Sequence, residues 1–195
     1  FMSKKILAHI AVFSANLIYG INYTVAKDVM PNYIEPLGFI FLRVSGAGIL
    51  FWGVFYFFFY EKVEKKDLIR LALCGLFGVA INQILFFEGL NLTTPINAAV
   101  IMVINPILVI LIGSFLTVEI ITSKKIFGIV LGAIGAIILI TYGSSPIINL
   151  EHLKGNIMIL INATSYAMYL VLAKPLMKKY KPITVISWVF FFGFI

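Results

Sequence analysis

Polar and charged side chains recur within the apolar stretches of this sequence, and the chemistry of ten of them suits the binding of a polar solute. Amides and phenols donate and accept hydrogen bonds, while an arginine and a glutamate add one charge of each sign. A charge in a hydrocarbon environment costs at least about 2.5 kcal/mol, so it usually finds a partner or lines a cavity. The candidate substrate-binding residues are Asn16, Tyr19, Asn22, Tyr23, Arg43, Asn82, Glu88, Asn105, Tyr166 and Tyr169.

A polar stripe recurs in the first apolar stretch. His9, Asn16 and Tyr23 are spaced seven residues apart. Tyr19 and Gly20 flank the same helical face, because each residue turns a helix by about 100°. One interpretation is a lining for a substrate path. The other is hydrogen bonding between packed helices, which Asn and His also provide.

Two features further along the chain are equally open to two interpretations. Asn105 precedes Pro106 in the fourth apolar stretch, where a proline kinks a helix and frees a backbone carbonyl. This pair indicates either a binding site or a kink alone. Tyr166 and Tyr169 in the sixth stretch suit either a cavity wall or an interfacial or core position.

Small residues share one helical face in two other stretches. They let helix backbones approach closely, so we interpret both faces as packing surfaces. The residues concerned are Gly75, Gly78, Asn82 and Gly89 in the third stretch, and Gly128, Gly132 and Gly135 in the fifth.

The inventory of reactive side chains argues against catalysis and metal binding. Both aspartates, Asp28 and Asp67, lie in connections, which excludes an intramembrane aspartyl protease. The two histidines, His9 and His152, are too scattered for a metal site. The single cysteine, Cys74, allows no intrachain disulfide. We therefore expect no catalytic residues, no metal and no cofactor.

The composition is that of an integral membrane protein. Of the 195 residues, 62% are hydrophobic and only 12% are charged, against about 25% charged residues in a soluble domain. In lipid, backbone groups must bond within the segment, so the chain forms helices or a closed barrel. The apolar stretches are about 17–25 residues long rather than about ten, which selects helices.

The pattern predicts an all-α, polytopic helical bundle with seven apolar stretches. Six are near membrane-spanning length and the seventh has thirteen residues. Short connections indicate that the third and fourth helices are antiparallel neighbours. The predicted stretches are Ile6–Ala26, Pro36–Tyr60, Leu68–Leu90, Pro95–Thr117, Ile126–Tyr142, Gly155–Leu172 and Ile183–Ile195.

The basic residues predict the orientation in the cell membrane. Placing the N-terminus inside leaves only Lys27 and Lys154 in outer connections. This asymmetry follows the positive-inside rule and accounts for the net charge of +7 without a nucleic-acid partner. The inner connections hold Lys4, Lys5, Lys62, Lys65, Lys66, Arg70, Lys124, Lys125, Lys174, Lys178, Lys179 and Lys181.

The chain contains an internal repeat of five helices. Residues 19–27 resemble residues 166–174, with tyrosine, alanine and lysine at matching places. A methionine, a tyrosine and a proline then follow in both copies: Met30, Tyr33 and Pro36, and Met177, Tyr180 and Pro182. Five is odd, so the second copy enters the membrane the opposite way up. Inverted repeats are typical of secondary transporters.

Several stretches together resemble the EamA-type permeases of the drug/metabolite transporter superfamily. They are Tyr19-Gly20-Ile21-Asn22-Tyr23 with Lys27, Pro36 with Leu42-Arg43, Phe86-Phe87-Glu88-Gly89-Leu90, Thr93-Thr94-Pro95-Ile96-Asn97-Ala98-Ala99, Asn105-Pro106, and Glu119 ahead of Gly128, Gly132 and Gly135. The resemblance implies ten helices in two repeats, with both ends in the cytoplasm. This chain has one full repeat, residues 2–142, and the start of a second, residues 152–195. Glu88 departs from the small or apolar residue usual in the family.

The resemblance implies a secondary transporter that moves a small polar metabolite, such as an amino acid or derivative, by alternating access. The alternatives are a small polytopic intramembrane enzyme, similar to a lipid acyltransferase, and a passive channel or assembly component. The expected partners are a small-molecule substrate and membrane lipid, with a homodimer left open. The short, lysine-rich loops argue against the enzyme, which needs loops that hold phosphate or acyl groups.

Arg43 and Glu88 form a predicted ion pair. Arg43 lies seven residues past Pro36, about 10 Å along its helix, and Glu88 lies close to the outer end of the next one. Long side chains bridge such a difference in depth. The hypothesis places the pair in an outer vestibule, where a substrate or proton competes for it. The alternative is that Glu88 reaches the outer surface while Arg43 binds helix-end carbonyls.

Overall fold

The described part of the chain is a bundle of apolar helices. The computed structural model describes residues 4–116 and 150–195, with short stretches between residues 122 and 135; residues 1–3, 117–121, 124–125, 129, 133 and 136–149 are outside the description. Five described spans are long and apolar enough to cross a membrane. The prediction of an all-α polytopic membrane protein is confirmed.

The spans match the predicted stretches closely, except where the description is interrupted. The fifth predicted helix, residues 126–142, lies largely outside the described residues. The others are α1 Lys4–Val29, α2 Pro36–Phe58, α3 Lys65–Gly75, a π-helical turn Leu76–Ala80, α4 Ile81–Leu92, α5 Pro95–Met102, α6 Asn105–Leu116, α7 Leu150–Lys179 and α8 Pro182–Phe194. Helices α3 and α4 form one span through the π turn, and α5 and α6 form another.

Proline chemistry decides where the fourth span begins and bends. At its start, Pro95 occupies the first helical position, and Thr94 Oγ1 accepts a hydrogen bond from the Asn97 N–H at 3.1 Å. Pro106 has no N–H to donate backward, so the helix is interrupted just before it. Val103 and Ile104 instead make shorter-range backbone bonds, and the predicted kink is present.

Glycines let α3 and α4 pack closely on the last two helices. A Cβ added to Gly89 would lie 3.0 Å from the Gly155 carbonyl oxygen in α7, and one added to Gly75 would lie 2.7 Å from the Gly193 nitrogen in α8. The packing interpretation of the third stretch is confirmed at these positions. In the fifth stretch, an added Cβ meets no described atom within 4 Å at Gly128, Gly132 or Gly135.

The antiparallel spans give the bundle two polar ends. One end carries the loop between α2 and α3 and the turn between α7 and α8. At the other end, Lys27 Nζ donates to the carbonyl oxygens of Leu90 at 3.0 Å and Asn91 at 2.5 Å, closing the end of α4. There Thr93 Oγ1 also donates to Asn156 Oδ1 at 2.6 Å. The apolar core lies between these ends, and α1 packs at its margin on α4 and α5.

Candidate functional site

A cavity of about 690 Å³ lies inside the bundle, with side chains from α1, α2, α4, α5, α7 and α8 in its wall. This volume is within the range of about 300–1,000 Å³ that is typical of small-molecule sites. Eight of the ten candidate residues line the cavity: Asn16, Tyr19, Asn22, Tyr23, Arg43, Asn82, Tyr166 and Tyr169. The positions of these residues in the sequence therefore place them on one shared surface. Their contact with a substrate remains a prediction.

Arg43 is the only charged side chain among the described residues of the cavity wall. Its Nη1 donates to Asn22 Oδ1 at 2.7 Å. The guanidinium carbon lies 4.9 Å from the ring centroid of Phe87 and 5.5 Å from that of Phe39. Aromatic faces attract a cation at such distances. Arg43 is thus positioned by an amide and two rings.

The predicted ion pair between Arg43 and Glu88 is wrong for this conformation. Among the described residues the two side chains form no ion pair, and Glu88 does not line the cavity. The reason is helical geometry. Phe87 lies beneath the guanidinium, and the next residue points about 100° away from it.

Asn105 also lies outside the cavity wall. It begins α6, after the break at Val103 and Ile104, whereas Met102 at the end of α5 lines the cavity. Its Oδ1 is buried without a hydrogen-bond partner among the described residues. Asn105 therefore lies at the interruption of the span and does not form part of the cavity surface. His9, from the polar stripe of α1, likewise does not reach the cavity.

Asn162 is a cavity residue that the sequence interpretation missed. It lies one turn before Tyr166 on α7 and is only 1% exposed. Its Nδ2 donates to the Asn82 backbone oxygen at 2.7 Å. Its Oδ1 has no partner among the described residues. The signal in the sequence was the helical spacing of Asn162, Tyr166 and Tyr169, which places all three on one face.

The π-helical turn makes room for the aromatic part of the wall. The Ile81 N–H bonds to the Leu76 carbonyl, five residues back, and Ser165 Oγ of α7 donates to the Phe77 carbonyl at 2.7 Å. Gly78 has no side chain, and a Cβ there would lie 2.6 Å from the Tyr169 ring. Such turns are frequent at functional sites. The space at Gly78 lets Tyr169 lie against the span.

A network of charged and polar groups joins the α2–α3 loop to the α7–α8 turn at one end of the bundle. We call it the latch, formed by Glu61, Glu64 and Asp67 on the first side and by Lys179, Tyr180 and Thr184 on the second. Asp67 Oδ2 accepts from Lys179 Nζ at 2.6 Å and from the Tyr180 hydroxyl at 2.7 Å. Lys179 also contacts Glu64 Oε1 at 2.7 Å.

The rest of the latch ties the same loop to the start of α8. Glu61 Oε2 accepts from the Lys181 N–H at 3.0 Å and from Thr184 Oγ1 at 2.6 Å. A carboxylate is favourable there, because the N-terminus of a helix carries partial positive charge. Hydrogen bonds from Lys179 and Lys66 lower the pKa of the Glu64 carboxyl. The latch therefore joins the α2–α3 loop to the α7–α8 turn through ionised groups.

Comparison with known proteins identifies the chain's relatives. The sequence model of the EamA-like transporter family matches residues 6–141. An uncharacterized transporter of Methanothermobacter thermautotrophicus is 26% identical over 90% of this chain and 55% of its own length. The uncharacterized transporter YyaM of Bacillus subtilis is 26% identical over 97% of this chain and 63% of its own length.

A plant protein is also similar: the WAT1-related protein At2g40900 of Arabidopsis thaliana is 26% identical over 62% of this chain and 35% of its own length. The chain spans little more than half the length of the microbial relatives. No solved structure matches it.

Proposed function

The chain belongs to the EamA-like transporter family, and from that premise we propose that it forms part of a secondary transporter that moves a small polar metabolite by alternating access. The names of the relatives indicate a membrane transporter rather than an enzyme. Within that function we propose an amino acid or a derivative as the substrate class.

The observation that carries this proposal is the polar cavity inside an apolar bundle. Five asparagine or glutamine side chains, four tyrosines and one arginine line it within spans that are otherwise hydrophobic. Polar groups within membrane-spanning segments are costly without partners, so a cluster of them supports a role in holding a polar solute. Apolar rings, including those of Phe86 and Phe190, complete the wall.

The latch supplies a means of closing one end of the pathway. Alternating access requires that the two ends of the site open in turn. We propose that the latch is the closed gate in this conformation, because it joins the loop of the predicted first repeat, residues 2–142, to the turn of the predicted second repeat, residues 152–195. Separation of these two groups would open the cavity at that end.

We propose that the latch end faces the cytoplasm and that the N-terminus lies there too, as the lysine asymmetry predicts. A cysteine placed at Lys65 in a Cys74→Ala background should resist a membrane-impermeant maleimide added to whole cells, and a cysteine at Lys154 should react. Labelling at Lys65 with none at Lys154 would reverse the orientation.

Uptake into proteoliposomes tests transport itself. The relatives are longer than this chain, so the assay uses the full-length gene product and a panel of radiolabelled amino acids and derivatives, with and without an imposed proton gradient. Saturable uptake supports the proposal, and a response to the gradient identifies proton coupling. Flux that rises linearly with concentration instead supports a passive channel. Chemical conversion of the solute supports the enzyme alternative.

A further inference from the structure

We infer that the outward face of α3 binds an anionic phospholipid at the latch end of the bundle. Lys65 and Arg70 contact the headgroup phosphate, and Ile69, Leu73 and Leu76 lie along an acyl chain. We call the surface formed by these five residues the α3 outer face. Its ligand is a lipid of the surrounding membrane rather than a transported solute, so the inference goes beyond the proposed function and does not depend on it.

The apolar part of the α3 outer face is exposed. Ile69 is 73% exposed, and Leu73 and Leu76 continue the same face at 40% and 42%. On the opposite side of the helix, Leu71 and Cys74 are fully buried. These residues belong to a span that is long and apolar enough to cross a membrane. An exposed aliphatic face on such a span suits contact with lipid chains.

Lys65 and Arg70 lie beside this face without a carboxylate partner. Both are exposed, and neither forms a hydrogen bond or an ion pair among the described residues. Asp67 precedes Arg70 by three residues, a spacing at which an acid and a base pair along a helix. Its Oδ2 instead accepts from Lys179 and from the Tyr180 hydroxyl in the latch.

The other acidic residues of the α2–α3 loop are engaged as well. Glu64 contacts Lys66 at 2.8 Å and Lys179 at 2.7 Å. Glu61 accepts hydrogen bonds from the start of α8. The latch therefore uses the carboxylates at this end of the bundle, and the α3 outer face keeps an excess of positive charge.

The depth of the two cations matches that of a lipid headgroup. Lys65 begins the span, and Arg70 lies five residues further, about 7.5 Å along the axis. Long basic side chains near the end of a span extend toward the interface, where lipid phosphates lie. A guanidinium matches a phosphate in geometry as well as in charge. A zwitterionic lipid would bring its own cation close to these residues, so the charge favours an anionic headgroup.

A fluorophore at Ile69 measures the local lipid preference. Ile69→Cys is labelled with bimane in a cysteine-free background of the full-length protein that includes Cys74→Ala. The protein is reconstituted in mixed bilayers of phosphatidylcholine and phosphatidylglycerol, and one lipid at a time carries brominated chains, which quench the fluorophore on contact. Quenching by equal amounts of each gives their relative occupancy. We expect phosphatidylglycerol to be favoured by at least about fivefold, which corresponds to about 1 kcal/mol.

A control position and paired variants assign this preference to the two cations. Phe57→Cys on α2 is 77% exposed at the same end, and the last turn of α2 carries no basic residue, so both lipids should quench equally there. Lys65→Gln combined with Arg70→Gln should lower the preference at Ile69 to the value at the control position. Lys154→Gln, which removes an exposed charge near the start of α7 at the other end, should leave the preference unchanged.

Equal quenching by the two lipids at Ile69, or a preference that survives the double substitution, would overturn the inference. Absence of quenching by either lipid would overturn it too, because another segment of the full-length protein or a second copy would then cover the α3 outer face. The measurement reads lipid occupancy rather than solute flux, so its failure is distinct from failure of the transport proposal.

Discussion

The latch and the cavity are two polar regions of the same bundle, but their charged side chains are arranged in opposite ways. In the latch, Lys179 contacts two carboxylates and Asp67 accepts from two donors. In the cavity, Arg43 faces an amide and aromatic rings, with no acidic group among the described wall residues. Charges that neutralise one another stabilise a closed conformation. A charge without a counterion is available to bind a ligand.

Position relative to the membrane-spanning segments gives the two arrangements different energetic consequences. Ion pairs at a solvated end contribute only about 0–1 kcal/mol each, so a network of them can open without a large barrier. Arg43 lies within a helix long and apolar enough to cross a membrane, where the surrounding dielectric is lower, so its charge is worth more. Loss of Arg43 should therefore have a larger effect than loss of any single latch residue.

The largest effect is expected at Arg43. Arg43→Gln should reduce the initial rate of uptake by about a hundredfold, if the charge contributes near 3 kcal/mol to binding. Lys154→Gln, at an exposed position of α7, is the control and should retain uptake. Uptake of Arg43→Gln at the wild-type rate would show that the cavity charge is not used.

A double-mutant cycle tests which residue interacts with Arg43. Arg43→Gln and Asn22→Ala should be non-additive, because the two side chains share a hydrogen bond. Arg43→Gln and Glu88→Gln should be additive, because they form no ion pair. A coupled Arg43–Glu88 cycle would indicate that the pair forms in another conformation of the transport cycle.

A smaller effect is expected from filling the space at Gly78. Gly78→Ala places a Cβ 2.6 Å from the Tyr169 ring, so the ring must move into the cavity. Overpacking of this kind costs about 1–3 kcal/mol, and we expect about tenfold weaker binding of the transported amino acid or derivative by the full-length protein in lipid nanodiscs. Gly46→Ala on α2, where an added Cβ meets nothing within 4 Å, should bind normally. Equal binding by both variants would place Tyr169 outside the binding surface.

Weakening the latch should shift the population from the closed to the open conformation rather than reduce substrate binding. Asp67→Asn weakens the contacts with Lys179 and Tyr180, and at about 0.4–1 kcal/mol in total the open fraction should rise about two- to fivefold. The readout is maleimide labelling of a cysteine at Ile186, in the cavity wall, in inside-out vesicles. Lys62→Gln on the same loop is the control. Unchanged labelling would mean that the latch does not gate the cavity.

The smallest effect is the response of the latch to pH. The pKa of the Glu64 carboxyl is lowered from its ordinary 4.5 by hydrogen bonds from Lys179 and Lys66. A lowered carboxyl pKa contributes stability above pH 4.5 that is lost as the pH falls through the lowered value. A thiol reacts with maleimide as its thiolate, so labelling at Ile186 is divided at each pH by the labelling of an exposed cysteine at Lys65. This ratio should be constant from about pH 8 to 5 and rise below about pH 4. Glu64→Gln should remove part of that rise, and an identical profile in Glu64→Gln would exclude this carboxyl.

Much of the architecture follows from local sequence. Span positions come from the length of apolar stretches, because a helix must cover the hydrocarbon core. The starts at Pro36, Pro95 and Pro182 follow from proline chemistry. Span ends were less predictable: α7 continues through Pro175 to Lys179, well past its apolar portion, and there Lys179 contacts the latch carboxylates.

The sequence predicted which residues belong to the candidate site but not which of them contact one another. Polar side chains in apolar spans are costly in lipid and therefore face the bundle interior or a cavity. Eight of the ten candidates accordingly line one cavity. The tertiary structure alone decided that Arg43 faces Asn22 rather than Glu88, that Asn162 belongs to the wall, and that Glu61 and Thr184 meet across more than a hundred residues. The reason is geometric. Hydrophobicity is a property of each stretch by itself, whereas contacts between helices depend on their relative rotation and height, and a change of one residue rotates a side chain by about 100°.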